Sequence, residues 1–195
     1  MWNIFTRVIP SIKGDITLNR IGPLRVAVGG CGQTSAYTHA MWSDALDRLD
    51  MPAAQAILML GLGAGGEIRQ LYERFPSSHI TALEYDPAMI ALTKELKLYS
   101  PHPEPAVLQG DAADIIPTLT GPYDIIMLDL FDGPEPSLLC TNPEFMESLK
   151  KLLSPKGVLF INVYKRAEYL KEANRIYVSC RQWQYGDNHL ALCKK

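Results

Sequence analysis

The chain has 195 residues, 47% of them hydrophobic, and a formal net charge of −2. That length fits one packed domain with at most a small appendage, and that charge excludes an electrostatic case for nucleic acid or an anionic membrane as partner. The longest apolar stretch, near Ala53 to Leu62, is too short and too glycine-limited to span a bilayer.

Met1 to Val8 carries no apolar h-region, so no secretory signal is expected. Ile16 to Leu18 and Leu24 to Val28 are short strand-like runs separated by Asn19 to Pro23, and Gly29-Gly30-Cys31-Gly32 follows as a turn. They predict a small antiparallel β unit over residues 1–35. A helix is expected from Tyr37 to Leu49, with Met41, Ala45, Leu46 and Leu49 facing inward.

From Ala56 onward, strands and helices alternate. The first strand covers 56–61 and its helix 66–75, with Ile68, Leu71, Tyr72 and Phe75 on one face. Ile80 to Glu84 is the second strand; Asp86-Pro87 then caps and opens a helix over 87–98. Ala106 to Gln109 is the third strand, with a short helix near 112–119. Asp124 to Asp129 is almost wholly apolar inside, as a central parallel strand should be. Asn142-Pro143 starts a helix over 143–153, and Val158 to Val163 is the fifth strand. A short helix near 167–175 precedes a closing hairpin of Ile176 to Cys180 and His189 to Cys193. The fold class expected is α/β: a doubly wound, Rossmann-like, mostly parallel sheet over 36–195 with a C-terminal antiparallel hairpin, preceded by the N-terminal β element.

The four cysteines, Cys31, Cys140, Cys180 and Cys193, are scattered without a CxxC pair. They are expected to be reduced, mostly structural thiols in a cytoplasmic compartment.

The segment Gly61-Leu62-Gly63-Ala64-Gly65-Gly66 joins a strand to a helix start and satisfies G-x-G-x-x-G at Gly61, Gly63 and Gly66. A tight turn could need glycines for packing alone. The strand before it, the helix after it and an acid about 20 residues on point to cofactor binding, because glycines let a ligand approach the backbone and helix N–H groups attract electron-rich groups. Glu84 can accept both hydroxyls of a ribose, and Tyr85 stands beside it. Asp111, in Gly110-Asp111-Ala112, fits both a helix N-cap and adenine recognition. Asp129 follows Ile125-Ile126-Met127-Leu128 directly, so turn formation does not account for it, whereas Asp132-Gly133-Pro134 is partly explained as a turn. There is no G-x-S-x-G elbow, no H-E-x-x-H and no metal-like grouping of the four histidines, so no metal is expected.

Taken together, the loop, Glu84, Asp111 and the Asp129 segment resemble the spermidine synthase family, within the class I S-adenosylmethionine-dependent methyltransferase fold. The resemblance runs from about Leu24 to Leu192. It implies that Gln33 touches the nucleoside donor, that Gly61, Gly63 and Gly65 form its glycine loop, that Glu84 and Tyr85 meet the ribose, and that Asp111 and Ala112 meet the adenine. It further implies that Asp129 is the catalytic aspartate, that Asp132 holds an amine acceptor, and that the chain pairs as a homodimer. Two departures stand out. Ala64 replaces an aspartate that holds the aminopropyl end of decarboxylated S-adenosylmethionine, and Tyr37-Thr38-His39 stands where the family has an acidic gate. Tyr37 and His39 are therefore the candidate acceptor contacts.

The reaction implied is transfer of an aminopropyl group from decarboxylated S-adenosylmethionine to a polyamine or other small-molecule amine. Methyl transfer from S-adenosylmethionine is the alternative, which Ala64 favours because a donor bearing its own carboxylate meets less repulsion there. A non-catalytic nucleoside-binding module is a third reading. A nicotinamide-dependent oxidoreductase shares the loop and Glu84 but leaves Asp111 and the Asp129 loop unexplained.

Overall fold

The computed structural model describes residues 6–195. Residues 1–5, where the expected N-terminal unit begins, lie outside the described residues.

Four short strands, β1 (Thr6–Ile9), β2 (Ile16–Asn19), β3 (Arg25–Val28) and β4 (Cys31–Thr34), form an antiparallel meander in chain order. Their alternation sends Ile16, Leu18, Val26 and Val28 inward, against Ala64, Met89 and Leu92 of the main body. The sequence predicts a turn over Gly29 to Gly32, whereas the structure turns within Gly29-Gly30 and continues as β4. Both glycines have positive φ, 54° and 85°, the two-residue geometry whose twist matches a hairpin. Gln33 thereby lies on a strand.

The helix α1 (Ala36–Asp47) is closed at its start by a capping box between Ser35 and Thr38. The main body follows as β5 (Ala56–Leu60), α2 (Gly66–Arg74), β6 (His79–Glu84), α3 (Pro87–Leu96), β7 (Ala106–Gln109), α4 (Ala112–Ile115) and β8 (Tyr123–Leu128). A two-rung hairpin, β9 (Phe131–Asp132) with β10 (Glu135–Pro136), interrupts the alternation. Then come α5 (Pro143–Leu152), β11 (Leu153–Tyr164), α6 (Lys171–Ile176), β12 (Ser179–Tyr185) and β13 (Asn188–Lys194).

Seven strands make one sheet in the order β12-β13-β11-β8-β5-β6-β7. β11, β8, β5, β6 and β7 run parallel, and β13 is antiparallel to both β11 and β12. The central strands are apolar on both sides because both sides are covered. Ile57, Met59, Ile125 and Met127 face the layer of α1 and α2, and Leu58, Leu60, Ile126 and Leu128 face the layer of α5 and α6.

Several boundaries differ from the sequence reading. The closing hairpin starts at Ser179, not Ile176, which ends α6. The expected helices over 112–119 and 167–175 are each a short α-helix joined to a 3₁₀ turn, with Pro117 inside the first turn. Cys180 and Cys193 are disulfide-bonded, which corrects the expectation of four reduced thiols. They sit directly opposite each other on β12 and β13, so the pairing follows from register and leaves no local sequence signature. Cys31 and Cys140 are free.

Candidate active site

Parallel strands end together, and each hands its last backbone bond to the next chain segment. The Gly61 N–H donates to Leu83 O at 3.0 Å, the Asp129 N–H to Leu60 O at 2.9 Å, and the Gly110 N–H to Glu84 O at 3.0 Å. These bonds set Gly61, Glu84, Gly110 and Asp129 along the carboxyl edge of the sheet, where open α/β sheets bind ligands. Gly61 is required there. Its φ is +97°, and a Cβ would lie 2.2 Å from the carbonyl oxygen of Asp129.

A cleft of about 310 Å³ opens on this edge, lined by Gln33, Gly61, Gly63, Glu84, Asp111 and Asp129 among others. Glu84 is oriented by the backbone: one carboxyl oxygen accepts from Leu62 N–H at 3.2 Å and the other from Asp86 N–H at 3.0 Å. Burial raises its pKa, and those N–H groups oppose the shift. Each carboxyl oxygen retains acceptor capacity for a ribose hydroxyl. Asp111 is the N-cap of α4, accepting from Ala113 N–H at 2.8 Å, and it also lines the cleft. Ala112 and the exposed ring of Tyr85 line it too, with Lys13 Nζ 5.2 Å from the ring centre.

Asp129 stands at the junction of two cavities. It closes one end of the cleft and also borders a second cavity of about 710 Å³, shared with Cys31, Tyr37, Asn162, Tyr164 and Asn188. Its Oδ1 accepts from Asn162 Nδ2 at 2.9 Å, and its Oδ2 accepts from Trp42 Nε1 at 3.3 Å. Trp42 is held edge-on against Phe160, and both rings are fully buried. Burial pushes the Asp129 carboxyl up to about 6, against the opposing pull of the Asn162 and Trp42 hydrogen bonds. At pH 7 it is mainly ionised and poised to take a proton.

Asp132 lines the first cleft beside Glu84, and Lys13 Nζ is 3.1 Å from its Oδ1. Glu135 pairs with Arg166 at 3.0 Å. Tyr37 lines the second cavity; its one hydroxyl proton is shared between Tyr185 O at 2.6 Å and Asn188 Oδ1 at 3.0 Å. His39, expected beside Tyr37, instead faces an outer groove with Ser35, Glu67 and Arg69. Residues two apart on a helix point about 200° away from each other, so Tyr37 and His39 cannot share a cavity. Gly65 is outside the cleft lining as well. It is the N-cap of α2 at φ +79°, and a Cβ there would meet Thr93 Cγ2 at 2.8 Å, so helix packing explains this glycine.

Ala64 is fully buried, among Ile16, Leu18, Val26 and Met89. Its side chain belongs to the apolar contact with the N-terminal meander, where a carboxylate would be stranded.

Three further polar residues were not found from sequence. Asn162 had a signal: it is the lone polar residue in the run Val158 to Val163. Trp42 and Glu67 had none, since an aromatic on a helix face reads as core and an acid in a first helical turn reads as solvated.

Comparison with known proteins places the chain in context. The family description "Methyltransferase domain" matches residues 57–157. A polyamine aminopropyltransferase of Vibrio vulnificus is 34% identical over 132 residues, covering 66% of this chain and 44% of that protein. A human eEF1A lysine and N-terminal methyltransferase is 33% identical over 138 residues, covering 64% of this chain and 19% of that protein. The chain thus spans less than half the length of these relatives. Among solved structures, a "probable spermidine synthase" of Corynebacterium glutamicum superposes with a TM-score of 0.80 at 18% identity, covering 97% of this chain and 80% of that one. At that identity the likeness is one of fold.

Proposed function

The chain belongs to the methyltransferase-domain family, and on that premise we propose that it is a transferase acting on a nucleoside sulfonium, moving the aminopropyl group of decarboxylated S-adenosylmethionine to an amine. The observation that carries this reading is the position of Asp129, an ionisable side chain that lines both cavities together with Gln33 and Phe131. One cavity presents a glycine-lined floor, Glu84 and Asp111, which suit a nucleoside. The other presents Tyr37, Tyr164 and Asn162, which suit a polar acceptor.

In this reading the ribose hydroxyls donate to Glu84, the adenine lies by Asp111 and Ala112, and Gln33 and Tyr85 flank the donor. The acceptor is an alkylammonium with a pKa around 10, so it must lose a proton before attack. Asp129 accepts that proton. The amine lone pair then forms the new C–N bond as the C–S bond breaks, and the electron pair leaves on sulfur as a neutral thioether. The leaving group is good, so alignment and deprotonation are the protein's main contributions. Asp132 lines the donor cleft and not the second cavity, and it is paired with Lys13, so this reading gives it no acceptor contact.

Methyl transfer from S-adenosylmethionine is the second reading, supported by the eEF1A methyltransferase relatives. Calorimetric titration with the two donors decides between them. Tighter binding of the decarboxylated donor supports aminopropyl transfer, and preference for the intact donor replaces it with methyl transfer. The homodimer implied by resemblance is part of the same proposal and is tested by light scattering.

A further inference from the structure

Behind the glycine loop lies a small hollow of about 20 Å³, lined by Gln33, Trp42, Gly61, Gly63, Glu67 and Asp129 among others. Gln33, Gly61, Gly63 and Asp129 also line the donor cleft, so the hollow adjoins it. A hollow of roughly 10–15 Å³ already holds one water, and an ammonium group is of similar size. Glu67, in the first turn of α2, is only 6% exposed, and its Oε1 has no hydrogen-bond partner. An unpaired buried carboxyl oxygen is costly to keep, and this one shares its hollow with a second carboxyl.

We infer that Glu67 and Asp129 together seat the primary ammonium at the free end of the donor's alkyl chain. Glu67 then supplies the carboxylate that Ala64 lacks, three residues further along the same loop and helix. Residue 64 is turned into the apolar contact with the N-terminal meander, while residue 67 borders the hollow. The inference rests on the sulfonium-nucleoside reading above and deepens it. A donor with a carboxylate on the amine-bearing carbon would add a third negative charge at this seat, so the seat favours a chain ending in ammonium alone.

The electrostatics agree. Burial first, and then the charge of Asp129, push Glu67 up to about 8, with the Thr38 hydroxyl and its own backbone N–H opposing. The other titratable groups that the Asp129 charge reaches are Cys31 and Cys140, both raised by burial first. Glu67 is therefore mostly protonated at pH 7 until a cation arrives and displaces its proton.

The test is calorimetric titration of the wild type and Glu67→Gln with two ligands: decarboxylated S-adenosylmethionine, and 5′-methylthioadenosine, which keeps the nucleoside thioether but lacks the amine-bearing chain. The expected result is that Glu67→Gln weakens the amine-bearing donor by about tenfold or more while 5′-methylthioadenosine binds within about twofold of wild type. In buffers of differing ionisation enthalpy at pH 7, the wild type releases a proton on binding the amine-bearing donor and the variant does not. Equal donor affinity in both proteins, equal proton release, or an equal loss for both ligands overturns the ammonium seat. If neither ligand binds the wild type, the nucleoside reading itself falls. If 5′-methylthioadenosine binds and the substitution has no selective effect, only the seat falls.

Discussion

Asn162 donates its side-chain amide to Asp129 Oδ1 at 2.9 Å, while its own carbonyl oxygen accepts from the Asn188 amide at 2.8 Å. With the Tyr37 hydroxyl donating to Asn188 at 3.0 Å, a chain of hydrogen bonds runs from the second cavity to the candidate base. Asn162 and Asn188 are both buried, so these two links fix one orientation of the Asp129 carboxyl. A hydrogen bond to a charged group contributes about 1.5–3 kcal/mol. Asn162→Ala is therefore expected to lower turnover roughly tenfold to a hundredfold. Asn162 lines the second cavity and not the donor cleft, so 5′-methylthioadenosine affinity should hold. Steady-state kinetics paired with calorimetry checks this, and an equal loss of nucleoside affinity contradicts it.

Asp129→Asn keeps the shape and removes the proton acceptor. Turnover should fall by roughly 10²–10⁴, the usual contribution of a positioned base, with affinity for 5′-methylthioadenosine changed far less. The wild-type pH profile should follow the same group. Its pKa is raised to about 6, and the ionised form is the active one, so turnover rises with pH through about 6 and levels above it. The Asn162 hydrogen bond lowers that pKa, so Asn162→Ala should move the rising limb to higher pH. A profile flat between pH 5 and 8 would remove Asp129 from the role of base.

Buried acids also leave a mark on stability. Glu67 rises from 4.5 to about 8 on folding, so the folded chain holds a proton that the unfolded chain loses across that range. The sign follows directly: stability declines as pH climbs from about 4.5 towards 8, because the buried carboxyl must then ionise or keep its proton at a cost. Glu67→Gln has nothing to ionise. It should match the wild type near pH 4.5 and exceed it at pH 9 by a few kcal/mol, on the order of 1.4 kcal/mol for each unit of the shift. Urea unfolding across this range measures the difference, and parallel curves would show Glu67 to be free of the burial cost.

Glu84 is held by two backbone N–H groups and lines the cleft. Glu84→Gln conserves size but replaces one acceptor oxygen with a donor, leaving a ribose hydroxyl poorly matched. Affinity for 5′-methylthioadenosine should drop about tenfold or more. An unchanged dissociation constant would detach the ribose from this residue.

The strand-end positions were readable in the sequence because they follow from chain-local rules. An apolar run, a glycine turn and a helix start place Gly61 and Glu84 on one edge whatever the distant partners are. Asp129 was readable for the same reason, as an acid ending a strand buried on both sides. Pairings across the chain were not. Asn188 meets Asn162 only because β13 returns antiparallel beside β11, and Cys180 meets Cys193 by the same register logic. Gln33 gained its strand from two glycines in positive φ that read as an ordinary turn. Tyr37 and His39 are a different case: helical geometry alone separates them, and the resemblance to a family gate drew them together.

A crystal structure of the chain with 5′-methylthioadenosine bound tests the central claim most directly. The account predicts the ribose hydroxyls on the Glu84 carboxylate, with the thioether sulfur turned toward Asp129 at the junction of the two cavities. A nucleoside found away from the strand ends, or one whose sulfur points away from Asp129, would contradict it.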